Sequence, residues 1–330
     1  MGIQRAIQQS LLAAALCGLV AGASAQSSSG SNYPSKPIRM IVPYPPAGPT
    51  EVVGRPMIEK LSANMGQSVI ADWRPGGNTI IGTDAVAKSA PDGYTWLFTT
   101  FTHTTMPSLS KNLPYNPLED FSGVAMVANF PFVAVIPASL GPNTMAEFVA
   151  LAKTQPGKFN YASAGIGSAA HLNAELLKIG AGINLVSVPY KGLAPALPDL
   201  LSGRVSFAFT LPALVLPHIR AGKLRALALA SPKRIPLLPE VPTMAESGFP
   251  DAQVVAWSAI LVPAKTPRDI VMRVNREFAR ALADPDVIRR SEAGGLSIES
   301  PMTPEEIDAM MKTQVANWAK FARQAGIEPQ

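Results

Sequence analysis

The chain has 330 residues, 47% of them apolar and 15% charged, with a formal net charge of +5. It is too apolar for a disordered chain and longer than the ~100–200 residues of an ordinary domain, so two packed domains are expected. Lysine and arginine are scattered (Lys36, Lys60, Lys153, Arg204) rather than massed, which argues against a nucleic-acid stripe and leaves only a mild bias toward anionic solutes.

Residues 1–25 read as a cleavable secretory signal. Arg5 supplies the basic start, residues 11–20 an apolar run too short to span a membrane, and Ala23-Ser24-Ala25 the small-residue cleavage site. The sole cysteine, Cys17, lies inside it after Leu16, where a lipid-anchor motif needs a small residue. Once the signal is removed, neither a disulfide nor a cysteine-ligated metal is available. A flexible stretch, residues 26–35, follows.

Strands and helices then alternate. An apolar run at 38–43 predicts a strand, and Val52, Val53, Met57, Ile58, Leu61 and Met65 give one face of a helix over 50–65, stopped by Gly66. A strand at 68–72, a Gly76-Gly77-Asn78 turn, a helix at 81–89 and a strand at 94–99 continue the pattern. It restarts with strands at 133–136, 160–162, 185–188, 205–210 and 224–230, separated by helices at 145–153, 169–179, 195–201 and 213–221. The apolar run 254–262 carries the chain back, and amphipathic segments 267–282 and 304–325 close it, each with proline near its start. This order predicts two α/β lobes with mostly parallel sheets. Lobe 1 takes residues 36–132 and 256–330, and lobe 2 residues 133–255. Crossings near 130–133 and 254–257 would serve as hinges.

Two strand-to-helix loops carry the candidate chemistry. Tyr44-Pro45-Pro46-Ala47-Gly48-Pro49-Thr50 opens onto a helix N-terminus, where unpaired N–H groups attract anions; the alternative is an ordinary cap made by Thr50. Ser163-Ala164-Gly165-Ile166-Gly167-Ser168 does the same in the second half, with Ser168 as cap or ligand donor. No lysine follows it as in a phosphate-transfer loop. Catalysis finds little support: His103, His171 and His218 have no zinc spacing, and Ser168 with His171 lacks a nucleophile elbow or an orienting acid. The four tryptophans suit a core better than a ligand platform, with Trp257, at a crossing, the one to watch.

Ordered blocks along the whole mature chain, among them Arg74-Pro75-Gly76-Gly77, Ala90-Pro91-Asp92-Gly93-Tyr94, Val188-Pro189-Tyr190-Lys191-Gly192 and Leu238-Pro239-Glu240-Val241-Pro242-Thr243, resemble the Bug, or TctC, family: the extracytoplasmic solute receptors of tripartite tricarboxylate transporters. The resemblance implies a type II-like, two-lobe periplasmic-binding-protein fold of mixed, mostly parallel sheets. It further implies a periplasmic, monomeric receptor that is not an enzyme, needs no cofactor or metal, binds no nucleic acid and hands a small carboxylate to membrane permease subunits. By carry-over, the 44–50 and 163–168 loops hold the carboxylate through backbone groups and bridging waters. Thr79, Thr102 and Thr210 occupy neighbouring cleft positions. The chain departs from the family pattern at Ala47, at Ile166 and Ile80 where asparagine is frequent, and at Thr210 where aspartate is often found. With Phe101 and Trp257 nearby, these departures suggest an apolar slot for an aromatic acid such as phthalate or terephthalate. An aliphatic di- or tricarboxylate is the alternative, and a signalling subunit or a secreted hydrolase using Ser168 and His171 are competing roles.

Overall fold

The first strand, β1 (Ile38–Val42), is a run of apolar, partly β-branched residues whose side chains are buried except at Arg39. The structure, a computed structural model, describes residues 33–46, 48–165, 167–324 and 329. The expected signal and most of the expected flexible stretch lie outside these residues. The described residues from Lys36 onward form one compact unit.

Chain order continues with α1 (Pro49–Met65), β2 (Val69–Trp73), α2 (Ile80–Ala87), β3 (Thr95–Thr100), α3 (Thr102–Thr105), β4 (Phe121–Phe130) and β5 (Phe132–Pro137). Next come α4 (Met145–Thr154), β6 (Asn160–Ser163), α5 (Ala169–Ala181), β7 (Val186–Pro189), α6 (Leu197–Leu201), β8 (Phe207–Thr210), α7 (Pro212–Arg220) and β9 (Leu224–Ala230). The chain closes with β10 (Ala256–Pro263), α8 (Arg268–Leu282), α9 (Pro285–Ala293), β11 (Ser297–Ile298) and α10 (Pro304–Gln324).

Two mixed sheets result. The first has the order β11-β4-β10-β3-β1-β2 and the second β7-β6-β8-β5-β9. Parallel pairing is confined to β2-β1-β3 and to β7-β6-β8, and the remaining pairs are antiparallel. The antiparallel share comes from strands that change sheet. β4 ends in the first sheet at Phe130 and β5 begins in the second at Phe132, so one residue, Pro131, makes the first crossing. The return ends at Ala256, which pairs with Phe130.

The sequence expectation omitted β4, α3, α9 and β11. Strand β4 reads FSGVAMVANF, with glycine and asparagine inside an apolar run and no clean alternation, so periodicity does not separate it from a buried connection. The structure also shows why glycine sits in it: a β-carbon at Gly123 would lie 2.6 Å from Ile307 Cγ2, so its absence lets α10 rest on the strand. Asp308 Oδ1 accepts the Gly123 N–H at 2.7 Å. Helix α10 is fixed at its start by a capping box in which the Glu306 N–H donates to Thr303 Oγ1 and the Thr303 N–H donates to Glu306 Oε2. Helix α8 buries Phe278 against Trp96, ring centroids 5.3 Å apart. Its Asn275 Nδ2 donates to the Val124 and Met302 carbonyls.

Candidate ligand-binding site

Strand direction alone brings the two expected loops to one place. Because β1, β2 and β3 are parallel, their carboxyl ends share one edge, which carries Tyr44, the 74–79 turn and Thr102. Strand β10 runs against β3 with Ser258 opposite Thr100, so this edge lies beside the crossing at Ala256 and Phe130. In the second sheet Ala162 pairs with Ala208 in parallel, and Thr210 lies opposite Val133, one residue into β5. Both carboxyl edges therefore meet at Pro131, the position at which open α/β sheets bind ligands.

At the first edge, helix α1 begins at Pro49 with Gly48, not Thr50, at the N-cap; no side chain caps it. The alternative of a Thr50 cap is thus corrected: Thr50 lies two residues past the N-cap, inside the first turn of the helix. Thr50 is 3% exposed, and among the described residues its Oγ1 has no hydrogen-bond partner. Such a group is costly to bury unless something outside the chain satisfies it. Pro46 is exposed and Gly48 and Pro49 are half-buried, while Ala47 lies outside the described residues.

Tyr44 Oη lies 2.7 Å from Thr100 Oγ1 and 2.6 Å from Thr102 Oγ1, and it accepts the Thr100 N–H at 3.1 Å. The two threonine oxygens are 3.1 Å apart. Tyr44 and Thr102 are brought together as expected, but each hydroxyl already serves the other. Thr100, which sequence reasoning missed, is the third member; the paired threonines ending β3 were its only signal.

The turn after β2 is strained. Gly76, Gly77, Asn78 and Thr79 all have positive φ, two of them non-glycine, with Thr79 at 79° and buried. Left-handed non-glycine residues cost about 1–3 kcal/mol each and cluster where function demands the geometry. Asn78 Nδ2 donates to Met106 Sδ at 3.2 Å, tying the turn to the segment after α3. Ile80, half-buried, begins α2.

In the second loop, Ser163 is buried, and its carbonyl accepts the Tyr190 N–H at 2.9 Å. Ser168 is the N-cap of α5, its Oγ accepting the His171 N–H at 3.2 Å. Ala164 is half-buried, Gly165 has φ +103°, and Ile166 lies outside the described residues. His171 Nδ1 faces the Gly167 N–H at 3.5 Å. Burial lowers the His171 pKa, more than nearby Glu175 raises it. Ser168 and His171 therefore form a cap, not a nucleophile and its base. Thr210 is buried beside a cavity of about 10 Å³ lined by Leu193, Ala196 and Leu200. A larger cavity of about 380 Å³, lined by Met126, Lys233, Asn275 and Glu299, includes none of these loop residues.

Trp257 lies opposite Asn129, 3% exposed, and its indole N–H donates to Gln314 Oε1 at 2.8 Å. Phe101 is buried against Trp318. Both rings belong to the packing of the first sheet against α10. Another residue missed by sequence reasoning, Asn173, ties α5 to the return crossing: its Nδ2 donates to the Val254 carbonyl and its Oδ1 accepts the Val254 N–H at 2.7 Å. An asparagine inside a helical pattern gives no sequence signal for such a role. Among the described residues no group of histidine, cysteine and acidic side chains could hold a metal ion, and no helix is long and apolar enough to cross a membrane.

Residues 53–327 match the family described as tripartite tricarboxylate transporter family receptor. The chain is 38% identical over 302 residues to protein BugT of Bordetella pertussis, covering 90% of this chain and 92% of that one. The solved periplasmic binding protein BugD superposes with a TM-score of 0.79 at 35% identity, over 90% of this chain and all of that one. The R. palustris protein Rpa4515, solved with adipate, superposes with a TM-score of 0.80 at 31% identity, with the same coverages.

Proposed function

The chain belongs to the receptor family of tripartite tricarboxylate transporters, and from that premise we propose that it captures a small dicarboxylate between two lobes in the periplasm and delivers it to the membrane subunits of such a transporter. Lobe 1 comprises residues 36–132 and 256–330, lobe 2 residues 133–255, and the hinges are the crossings at Pro131 and at 254–256. Members of a binding-protein family hold their solute without converting it, and the cap formed by Ser168 and His171 agrees with that. A periplasmic location is supported by the kinship with BugD and by the signal-like pattern of residues 1–25.

The observation that carries the carboxylate reading is Thr50. A buried hydroxyl without a partner among the described residues, in the first turn of α1, near a glycine N-cap that offers no side chain, is a donor set that an anion completes. The loop 163–168 presents a second helix N-terminus from the other sheet. Two such ends suit a ligand with a carboxylate at each.

An aliphatic diacid is favoured over an aromatic one. Phe101 and Trp257 were the rings that argued for an aromatic slot, and both are committed to the packing of the first sheet. Half-buried Ile80 and uncharged Thr210 remain in favour of an aromatic acid, which stands as the second reading. The adipate held by Rpa4515 supports the first.

The test is the melting temperature of the purified protein with adipate, malate, citrate, terephthalate or nicotinate. A ligand at ~100 times its Kd stabilises a fold by about 2.7 kcal/mol, a shift of a few degrees. We expect adipate to give the larger shift. A response to terephthalate alone returns the aromatic reading, and no response to any acid sinks the carboxylate assignment.

A further inference from the structure

The segment after α3 ends in Leu109, whose N–H donates to the Met106 carbonyl at 3.0 Å. Met106 is in turn held by Asn78 from the strained turn. Leu109 is therefore a firmly mounted, half-buried apolar side chain on the first-sheet side of the cleft. It points its end at a glycine of the other side. A β-carbon added to Gly167 would lie 2.0 Å from Leu109 Cδ1 and 3.4 Å from Cγ, so the leucine occupies the space of the side chain that residue 167 lacks. Gly167 is itself buried, its φ of +79° set by the loop that leads to the Ser168 cap. The contact joins two loops whose covalent links run through the crossings, and Gly167 belongs to the 163–168 loop assigned to the carboxylate.

We propose that Leu109 and Gly167 form the clasp that holds the cleft shut, with Leu109 the positioning residue that sets how long a bound solute is retained. The proposal rests on the two-lobe carboxylate reading for its ligand but not for its geometry. The clasp closes only if a long apolar side chain meets glycine: a larger residue at 167 props the lobes apart or turns Leu109 away, and a smaller one at 109 leaves nothing to bury. Removing the contact lowers the closed fraction and weakens apparent affinity in proportion.

The test uses spin labels on cysteines replacing the exposed Lys88 and Lys191, one on each side of the cleft, with Cys17 replaced by serine. Label distances are read with and without adipate, and adipate dissociation is followed by stopped flow. Leu109→Ala is expected to lengthen the label separation and to speed dissociation about tenfold, while Leu109→Met restores both. Gly167→Ala, which adds backbone strain at φ +79°, should speed dissociation at least as much, and the double variant should be no faster than Gly167→Ala alone, because both remove the same contact. Effects that multiply in the double variant, or an unchanged separation in Leu109→Ala, overturn the clasp. If the wild type binds none of the acids, the carboxylate reading fails separately, and the unliganded distances decide the clasp: longer in Leu109→Ala supports it, equal overturns it.

Discussion

At the scale of single residues, Thr50 separates a binding role from a structural one. A buried hydroxyl without a partner lowers stability, so replacing it by the isosteric Thr50→Val costs the fold nothing and removes one donor from the site. We expect the melting temperature of the unliganded protein to stay level or rise, while the affinity for adipate, measured by titration calorimetry, falls about tenfold, the worth of one hydrogen bond to a charged group. A lowered melting temperature with unchanged affinity would mean that Thr50 only packs. Residue identity was legible where the chemistry is local: Ser168 reads as a cap from its place before an apolar helix, and it is one. Trp257 was ambiguous because a tryptophan at a crossing can face ligand or core. Its partner Gln314 lies 57 residues away, on a helix whose docking the sequence pattern does not specify.

At the scale of elements, the turn 76–79 shows the same limit. Gly76-Gly77-Asn78 announces a turn, yet nothing in those letters says that Thr79 continues the left-handed run or that Asn78 is tied to Met106. Asparagine tolerates positive φ better than alanine, and glycine tolerates it best. Asn78→Ala should therefore lose about 1–2 kcal/mol in urea unfolding. Asn78→Gly should lose less, because it gives up the side-chain bond and keeps the backbone unstrained. Equal losses would assign the whole effect to the Met106 contact. Apart from α3 and α9, the helices were readable from periodicity, as were the loop-bearing parallel strands. Strand β4 and the antiparallel share of both sheets were not, because they depend on where the chain changes sheet at Pro131.

At the scale of the whole molecule, acid stability depends on two buried histidines: His171, whose pKa burial lowers, and His103, whose shift is the larger. His103 is 1% exposed, packed edge-on to Phe121 and stacked with Tyr115, and its Nε2 lies 2.9 Å from the Pro117 carbonyl. That carbonyl can only accept, so Nε2 carries a proton, and among the described residues Nδ1 has no partner. Burial pushes its pKa down from 6.5 to about 4, against the smaller opposing effect of the Pro117 carbonyl. Between those values the unfolded chain binds a proton that the folded chain refuses, so stability rises with pH across the window and is lost as pH falls through it. The loss approaches about 3 kcal/mol by pH 4. Glu246, Asp284, Glu305 and Glu306, whose hydrogen bonds hold their pKa values below the usual carboxylate range, add loss of the same sign at lower pH; Glu299 and Asp308, raised by burial, act the other way. The comparison that isolates His103 is urea unfolding of wild type and His103→Gln at steps from pH 7 to pH 4. The variant should start less stable, and its curve should fall less steeply, converging on the wild type toward pH 4. Parallel curves would show that the ring is protonated in place and that acid unfolding begins elsewhere.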